Sequence, residues 1–518
     1  MKNYSIKKQF FLSGLFVFMI LVQVSLATTI EQMFVHSKAI SLGNAVTAYP
    51  PGLMSIHYNP AGLSQVREGI VFSQGFTLAH HNTSHRFKPD PDFPIIVPGK
   101  TYASTDDPVA NTESNSEDHR LYIPFYGKGD FPVLMMPLPF GISSRQFGSR
   151  WTFAYAVYSP YNWGEETEDY GGANYQKKAA YLQHFIYAAP AASYQISDHF
   201  SVGVSLGLGQ SAMGILSDIR LPNDELFSYT NENPFQPFAE MEFSMRSKNE
   251  MAPSVNVGIL WEPLSWLAFG CVYQSQIQSD LEGRFHIDYL DAFQKLNPNV
   301  INQLNLSNKT AESGIVTMDN FSFPERLQFG IKLRPFKKLR LMCDFHWANW
   351  ADNYELKFQT DNQSPIALFK LARQLGSDLA NDNTLIYQKE LNPTWHLSFG
   401  LEYQIKECLA LRLGYENRKS NTDDEYFDLL TMPDIDYYGA GLGLKLKQGV
   451  ELDLGLGYMV NSGTEITNGM SQNLNQFQTP IYSPFAGQHC ETIFEAYFLS
   501  VNLTMPFETM YQKLDQVF

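Results

Sequence analysis

The chain has 518 residues and a formal charge of −16, from 53 acidic and 37 basic side chains. That balance excludes a nucleic-acid partner, because a phosphate backbone needs a basic surface. Hydrophobic residues make up 44 % of the chain, yet the mean hydropathy is −0.23, which fits segments in which every second residue avoids an apolar medium.

At the N-terminus, Lys2, Lys7 and Lys8 precede an apolar run from Phe10 to Leu26. Ser25 and Ala27 then stand at the minus-three and minus-one positions of a cleavage before Thr28. Residues 1–27 therefore read as a secretory signal peptide. No later stretch offers eighteen continuous apolar residues, so no membrane-spanning helix is expected in the mature chain. Cys271, Cys343, Cys408 and Cys490 are too scattered for a zinc site or a disulfide framework, although one disulfide stays open.

Within an N-terminal unit of residues 28–66, residues 31–63 do not alternate. Tyr49-Pro50-Pro51-Gly52 breaks any helix, and Pro60 pushes Asn59 out of the helical region. Short helices and turns are expected here, ahead of the first strand.

Beyond residue 67 the pattern changes to period two. In Gly449 to Met459, Val450, Leu452, Leu454, Leu456 and Tyr458 share one face, while Glu451, Asp453, Gly455 and Gly457 share the other. Fourteen such segments follow in order. They are 68–78, 119–126 (or 131–140), 151–159, 184–195, 199–209, 251–261, 266–279, 315–333, 338–349, 394–405, 408–417, 436–446, 449–460 and 492–507. Six short turns alternate with seven long connections. A soluble sandwich has no reason to keep that alternation. An outer-membrane barrel has it, with short periplasmic turns, long external loops and an even strand count. The expectation is an all-β, 14-stranded antiparallel outer-membrane barrel over residues 67–507. Amides facing lipid must all be paired, so the sheet closes on itself.

Fourteen strands enclose more space than their own side chains fill. The lumen is then an open channel or is plugged, and the segment before the first strand is the natural plug. Residues 508–518 remain as a C-terminal extension ending in Phe518.

Two motifs carry a family resemblance: Ser41-Leu42-Gly43-Asn44-Ala45, then His57-Tyr58-Asn59-Pro60-Ala61-Gly62-Leu63. Further similar patches are Ala191–Val204, Pro324–Leu327, Asp344–Trp350 and Pro433–Tyr458. The chain resembles the FadL-type outer-membrane transporters of long-chain fatty acids and other hydrophobic compounds. The resemblance implies a Gram-negative outer membrane, with lipid and lipopolysaccharide around the barrel and insertion by the barrel assembly machinery. It implies a hydrophobic ligand captured outside, an inner pocket, a movable N-terminal hatch and an inward kink in the third strand that opens the wall sideways. No cofactor, metal or catalytic residue is implied. No Gly-x-Ser-x-Gly elbow or histidine triad points to an enzyme.

Candidate residues follow. In the hatch, Asn59 would bond nearby backbone, Pro60 would fix the turn, and Ala61 and Gly62 would allow close approach to the wall. In the lumen, Arg412 and Asp453 should sit at one depth, one strand apart, with Glu451 beside them. Either a structural charge pair or a site for a ligand carboxylate would result. Arg340, with Asp344 four residues on, and His346 are the other inward polar candidates. Pro160 either marks the lateral gap or ends the third strand. The acidic runs Glu165-Glu166 and Asp423-Asp424-Glu425 read as solvated loop clusters. Residues 366–380 have helical spacing and read as a short amphipathic helix near the external mouth.

Facilitated uptake of long-chain fatty acids is the leading functional reading. Uptake of neutral aromatic or aliphatic hydrocarbons is the first alternative. A nontransporting structural or adhesin barrel is the second.

Overall fold

The computed structural model describes residues 35–88, 113–123, 127–129, 134–167, 171–219, 237–248, 251–294, 309–350, 355–361, 366–374, 383–461, 463–466 and 489–511, with a few isolated positions between them. The expected signal peptide and residues 28–34 lie outside the described residues.

The chain folds into one closed antiparallel barrel of fourteen strands. In chain order, β1 is Gly69–Lys88, β2 is Ser114–Ile123 with Leu134–Arg145, β3 is Trp151–Thr167, β4 is Ala179–Ser197 and β5 is Phe200–Ile219. β6 is Ala239–Ser247 with Ala252–Leu264, β7 is Leu267–Gln274 with Ile277–Tyr289, and β8 is Ala311–Phe323 with Glu325–Phe336. β9 is Leu339–Asn349 with Glu355–Thr360, and β10 is Thr384–Gln388 with Thr394–Lys406. β11 is Leu409–Arg418, β12 is Ile435–Lys445, β13 is Glu451–Val460 with Thr464–Ile466, and β14 is His489–Pro506. Each strand pairs with its sequence neighbour. β1 closes the circle on β14, from Val71↔Pro506 to Lys88↔His489.

The two readings of the second strand are both correct in part, since β2 uses both segments with a break between them. Several strands run well beyond the nine to eleven residues needed to cross a bilayer. β1 and β5 have 20 residues each, so the wall continues into what the sequence reads as external loops. The hydrophobic spacing at 366–380 does form a helix, α1, over Ala367–Gln374. Ile366, Leu368 and Phe369 are buried with Phe243, Phe285 and Phe358 in an apolar core inside the upper barrel. β14 stops at Pro506, and residues 507–511 form a helical turn.

The apolar faces turn outward. Leu456, Leu413 and Leu206 are 56 %, 57 % and 50 % exposed, far above any core value, so no second protein layer covers them. Trp151, Trp261 and Trp266 stand exposed beside the short turns. Tyr415, Tyr438, Tyr458 and Tyr497 sit side by side on adjacent strands higher up, with ring centroids 5.0–6.5 Å apart. The two rows flank an aliphatic band, as aromatic girdles do at both membrane interfaces. All four cysteines are unpaired.

Leu456 lies mid-strand on the lipid face. Leu456→Arg is expected to destabilise the barrel by ~2–4 kcal/mol, the cost of a cation near the bilayer midplane. Urea unfolding in lipid vesicles measures it, and an unchanged midpoint would contradict lipid contact there.

Candidate functional site: hatch, lumen charges and pocket

Residues 35–66 fill the lumen at the end where the short turns lie. α2 (Ser37–Ser41) and α3 (Ser55–Tyr58) are joined by tight turns, and nearly every residue is buried. Such a compact plug must press its backbone against the wall, and glycines on the inner face allow this. A Cβ on Gly414 would stand 2.0 Å from Gly43 N, one on Gly203 2.3 Å from Pro60 C, and one on Gly258 2.1 Å from Asn59 Oδ1. The glycines alternating with leucines in the sequence are therefore the seat of the hatch.

Asn59 Oδ1 accepts from Ala61 N at 3.1 Å, while Nδ2 donates to Thr47 O at 2.8 Å and to Ile259 O of β6 at 3.0 Å. Pro60 opens the following 3₁₀ turn, Pro60–Gln65. Ala61 O accepts from Ser201 on β5. Gly62 differs from expectation. It makes its close approach to Pro50 inside the hatch, not to the wall. Other barrel side chains hold hatch backbone directly. Ser205 donates to Ile56 O, Gln274 to His57 O and Tyr437 to Ile40 O, while Asp344 accepts from Thr47 N at 2.6 Å.

Below the hatch lies a buried charge cluster. Arg412 donates to Glu402 at 2.8 Å and pairs with Asp453, so the expected Arg–Asp bridge forms. Glu402 also takes Arg340 at 2.5 Å and Tyr49 OH at 3.1 Å. Arg340 thus pairs with Glu402 and not with Asp344. Glu451 is not part of this cluster. It is exposed at the start of β13, 4.0 Å from Lys445. The hatch contributes Lys38, whose ammonium lies 3.2 Å from the centroid of Tyr49. Burial lowers Lys38 to about 7, against the pull of Glu402. Burial likewise lowers His36 to about 4. The neutral His36 Nδ1 accepts from Lys38 N at 3.0 Å and caps α2.

Above the hatch, His346 lies 3.1 Å from Ser398 Oγ and stacks on His396 with centroids 4.8 Å apart. His396 Nε2 is 2.8 Å from Glu416 Oε1, and Arg418 Nε donates to the same oxygen at 3.0 Å. Asn44 Nδ2 of the hatch donates to Glu416 Oε2 at 2.8 Å. His346, His396 and Glu416 bring three metal-type donors within 4.8 Å of one another. Arg418 already occupies the place beside Glu416 that a cation would take, so these residues do not fit a resident metal.

His396 and Arg418 also line a cavity of about 190 Å³. Trp163, Met213, Phe321, Phe323, Trp350 and Leu356 belong to its apolar lining. Its remaining basic groups are Lys389, 2.7 Å from Asp428, and Lys419, 2.5 Å from Asp434.

β3 runs past this cavity. Pro160 does not end the strand. It sits inside β3, where the ladder to β4 shifts between Ala156 and Tyr158 and again between Tyr158 and Tyr161. Ser159 Oγ donates to His184 O at 2.7 Å. On the other side, β2 pairs with β3 at Phe140↔Val157 and again at Arg120↔Glu166. Among the described residues, no ladder pairing to β2 covers 158–165 between them. Above this break Glu165 is buried, contrary to its reading as a solvated loop acid. It pairs with Lys177, which lies 2.7 Å from Asp118 of β2.

Sequence reasoning missed Glu402, Glu416, His396, Lys38 and Tyr49. Lys38 had a usable signal, being a lone charge in a segment of small and apolar residues. Glu402 and Glu416 had none, since an inward acid on an alternating strand looks the same whether solvated or buried.

Over residues 27–507 the chain matches the family of outer membrane protein transport proteins (OMPP1/FadL/TodX). No curated protein matches in sequence. Among solved structures, a Pseudomonas aeruginosa FadL homologue superposes with a TM-score of 0.66 at 12 % identity, covering 93 % of this chain and 100 % of that one. The P. putida toluene transporter TodX gives 0.60 at 13 % identity, with 92 % and 99 % covered. The Ralstonia pickettii toluene transporter TbuX gives 0.58 at 13 % identity, with 90 % and 98 % covered. At these identities the likeness shows the fold.

Hatch seating should depend on pH. A free histidine titrates near 6.5 and a free lysine near 10.5, above the docked values of about 4 and about 7. The released hatch therefore binds more protons in both windows, and docking tightens as pH rises through each. Ion conductance across planar bilayers should show fewer opening events from pH 4 to 6.5 and again above pH 7. Lys38→Met should remove the upper window alone. Gly258→Val should raise conductance at every pH, because its side chain displaces Asn59.

Proposed function

We propose a substrate class for this chain, which belongs to the OMPP1/FadL/TodX family of outer-membrane transport proteins. Such a chain is a barrel of the Gram-negative outer membrane that transports hydrophobic small molecules, and it is not an enzyme. Within that class, the substrate is a neutral hydrocarbon, and an aromatic one in particular, in preference to a long-chain fatty acid.

One observation carries this reading. The cavity's four basic side chains already face carboxylates: Lys389 with Asp428, Lys419 with Asp434, and both Arg418 and His396 with Glu416. Asp428 and Glu416 are fully buried. A ligand carboxylate that took Lys389 would strip the buried Asp428 of its cation, at a cost of ~3–5 kcal/mol. One that took Arg418 or His396 would break a contact of the buried Glu416, and Lys419, paired with Asp434, is half exposed. A neutral ring meets no such penalty. It gains apolar burial at about 25 cal/mol per Å², and Trp163, Phe321, Phe323 and Trp350 offer faces and edges for ring contacts of ~0.5–1.5 kcal/mol. The solved toluene transporters of the same fold are consistent with this choice.

The route we infer runs from the apolar upper barrel into the cavity and leaves beside Pro160. Trp163 is common to the cavity wall and to the unpaired stretch of β3, which supports a sideways exit into the membrane. No chemical step is needed, and consumption inside the cell maintains the gradient.

The test is uptake of labelled toluene, oleate and a small sugar by cells with and without the protein, their native route deleted. Toluene entry should rise several-fold, with oleate and sugar unchanged. Selective oleate entry would restore the fatty-acid reading. Correct insertion with no gain for any solute would favour a nontransporting barrel. Phe323→Ala should slow toluene entry and, because the ring is fully buried, also cost about 3–5 kcal/mol of stability.

A further inference from the structure

One side chain joins two residues of the cavity lining to the hatch. Glu416 is fully buried on β11, between them. Its Oε1 is held from the cavity side by His396 at 2.8 Å and Arg418 at 3.0 Å. Its Oε2 is held from the hatch side by Asn44 at 2.8 Å. Asn44 has no other side-chain bond to spend, since its Oδ1 is buried without a partner. It is also presented by a tight turn. Gly43 and Asn44 both adopt left-handed backbone, each with φ of 59°. That conformation suits glycine and, among other residues, asparagine in particular. The turn lies flat against β11, where a Cβ on Gly43 would stand 2.5 Å from Tyr415 N.

We propose that Glu416 is a positioning residue that links occupancy of the cavity to release of the hatch. The inference rests on the cavity being the substrate site proposed above. A ligand that settles against the His396 ring or the Arg418 guanidinium, both in the cavity lining, shifts the group it meets. A carboxylate is planar and rigid, so a shift imposed on Oε1 is passed to Oε2. The bond to Asn44 then lengthens, and the turn loses its side-chain contact to β11. The hatch loosens first at residues 42–48, directly beneath the occupied cavity. Other fasteners, such as Asp344 with Thr47 and Asn59 with Ile259, touch no cavity-lining group and stay passive.

Coupling of this kind is reciprocal. If toluene weakens the Asn44 contact, then breaking that contact must tighten toluene binding by the same factor. A purely structural role for Glu416 or Asn44 predicts no such gain.

The experiment uses the full chain in lipid nanodiscs. Amide exchange over residues 42–48 is followed with and without toluene, and toluene affinity is read separately by quenching of tryptophan fluorescence. In the native chain toluene should speed exchange by at least about fivefold, the lower end of ordinary site-to-site coupling. Asn44→Ala, and Glu416→Gln where it folds, should exchange fast without toluene and show no further response. Asn44→Ala should also bind toluene more tightly by the factor seen in the native exchange. Asp344→Asn should raise basal exchange yet keep the toluene response. Toluene binding with unchanged native exchange would overturn the relay and leave the substrate reading intact. So would a full toluene response in Asn44→Ala. Absence of toluene binding would instead overturn the substrate reading and the relay with it.

Discussion

The lumen imposes the constraint on which the rest of this protein depends. Fourteen strands make a ring too wide for side chains to fill, so inward positions must face water or a plug. Here the plug is the chain's own N-terminal segment, and the wall is shaped to take it. Glycines stand where hatch backbone comes close, and serine, glutamine, asparagine, tyrosine and arginine side chains donate to hatch carbonyls. Buried backbone groups left unpaired would cost too much. The seat is thus a hydrogen-bonding surface as much as a shape.

The charges obey the same logic. Arg412, Arg340 and Lys38 would be expensive to bury singly, but Glu402 and Asp453 balance them. Glu416 does the same for Arg418 and His396. Both clusters lie where hatch meets wall, one below it and one above. Ion pairs of this kind add little net stability, because desolvation cancels most of their attraction. What they supply is position: a planar guanidinium or carboxylate fits only one orientation of its partners. A hatch held by such groups seats in one register.

The barrel was legible because its signals are repetitive. Period-two alternation and the rhythm of short and long connections recur along the whole chain, so an error in one strand does not alter the count. Asn59 and Pro60 were legible because capping chemistry is local. The Arg412–Asp453 bridge could be found since both residues count upward from short turns that fix their depth. Glu451 failed by the same arithmetic, lying too close to its turn to leave the rim. Partnerships that depend on the hatch were invisible. Nothing in the alternation of β10 or β11 tells that Glu402 will meet Tyr49, or Glu416 will meet Asn44, because those contacts join residues more than 350 positions apart. Strand ends were misjudged for another reason. Above the membrane the inner face becomes apolar too, as Phe243, Phe285 and Phe358 pack inside, and the alternation that marks a lipid-facing strand fades.

The broken ladder beside Pro160 has its own physical account. A strand in lipid that loses a neighbour exposes unpaired amides, and a proline removes one such donor outright. Ser159 adds a side-chain bond to His184 O, and two opposed register shifts against β4 return the strand to its original alignment. Above the break, Lys177 joins Asp118 of β2 to Glu165 of β3, so the wall is closed again by buried charge. The interruption is therefore bounded at both ends and locally compensated. The stretch between the two pairings includes Trp163, which also lines the cavity. Under the proposed route a hydrophobic solute would pass there from protein to hydrocarbon without crossing water, the one step its low solubility would otherwise make slow.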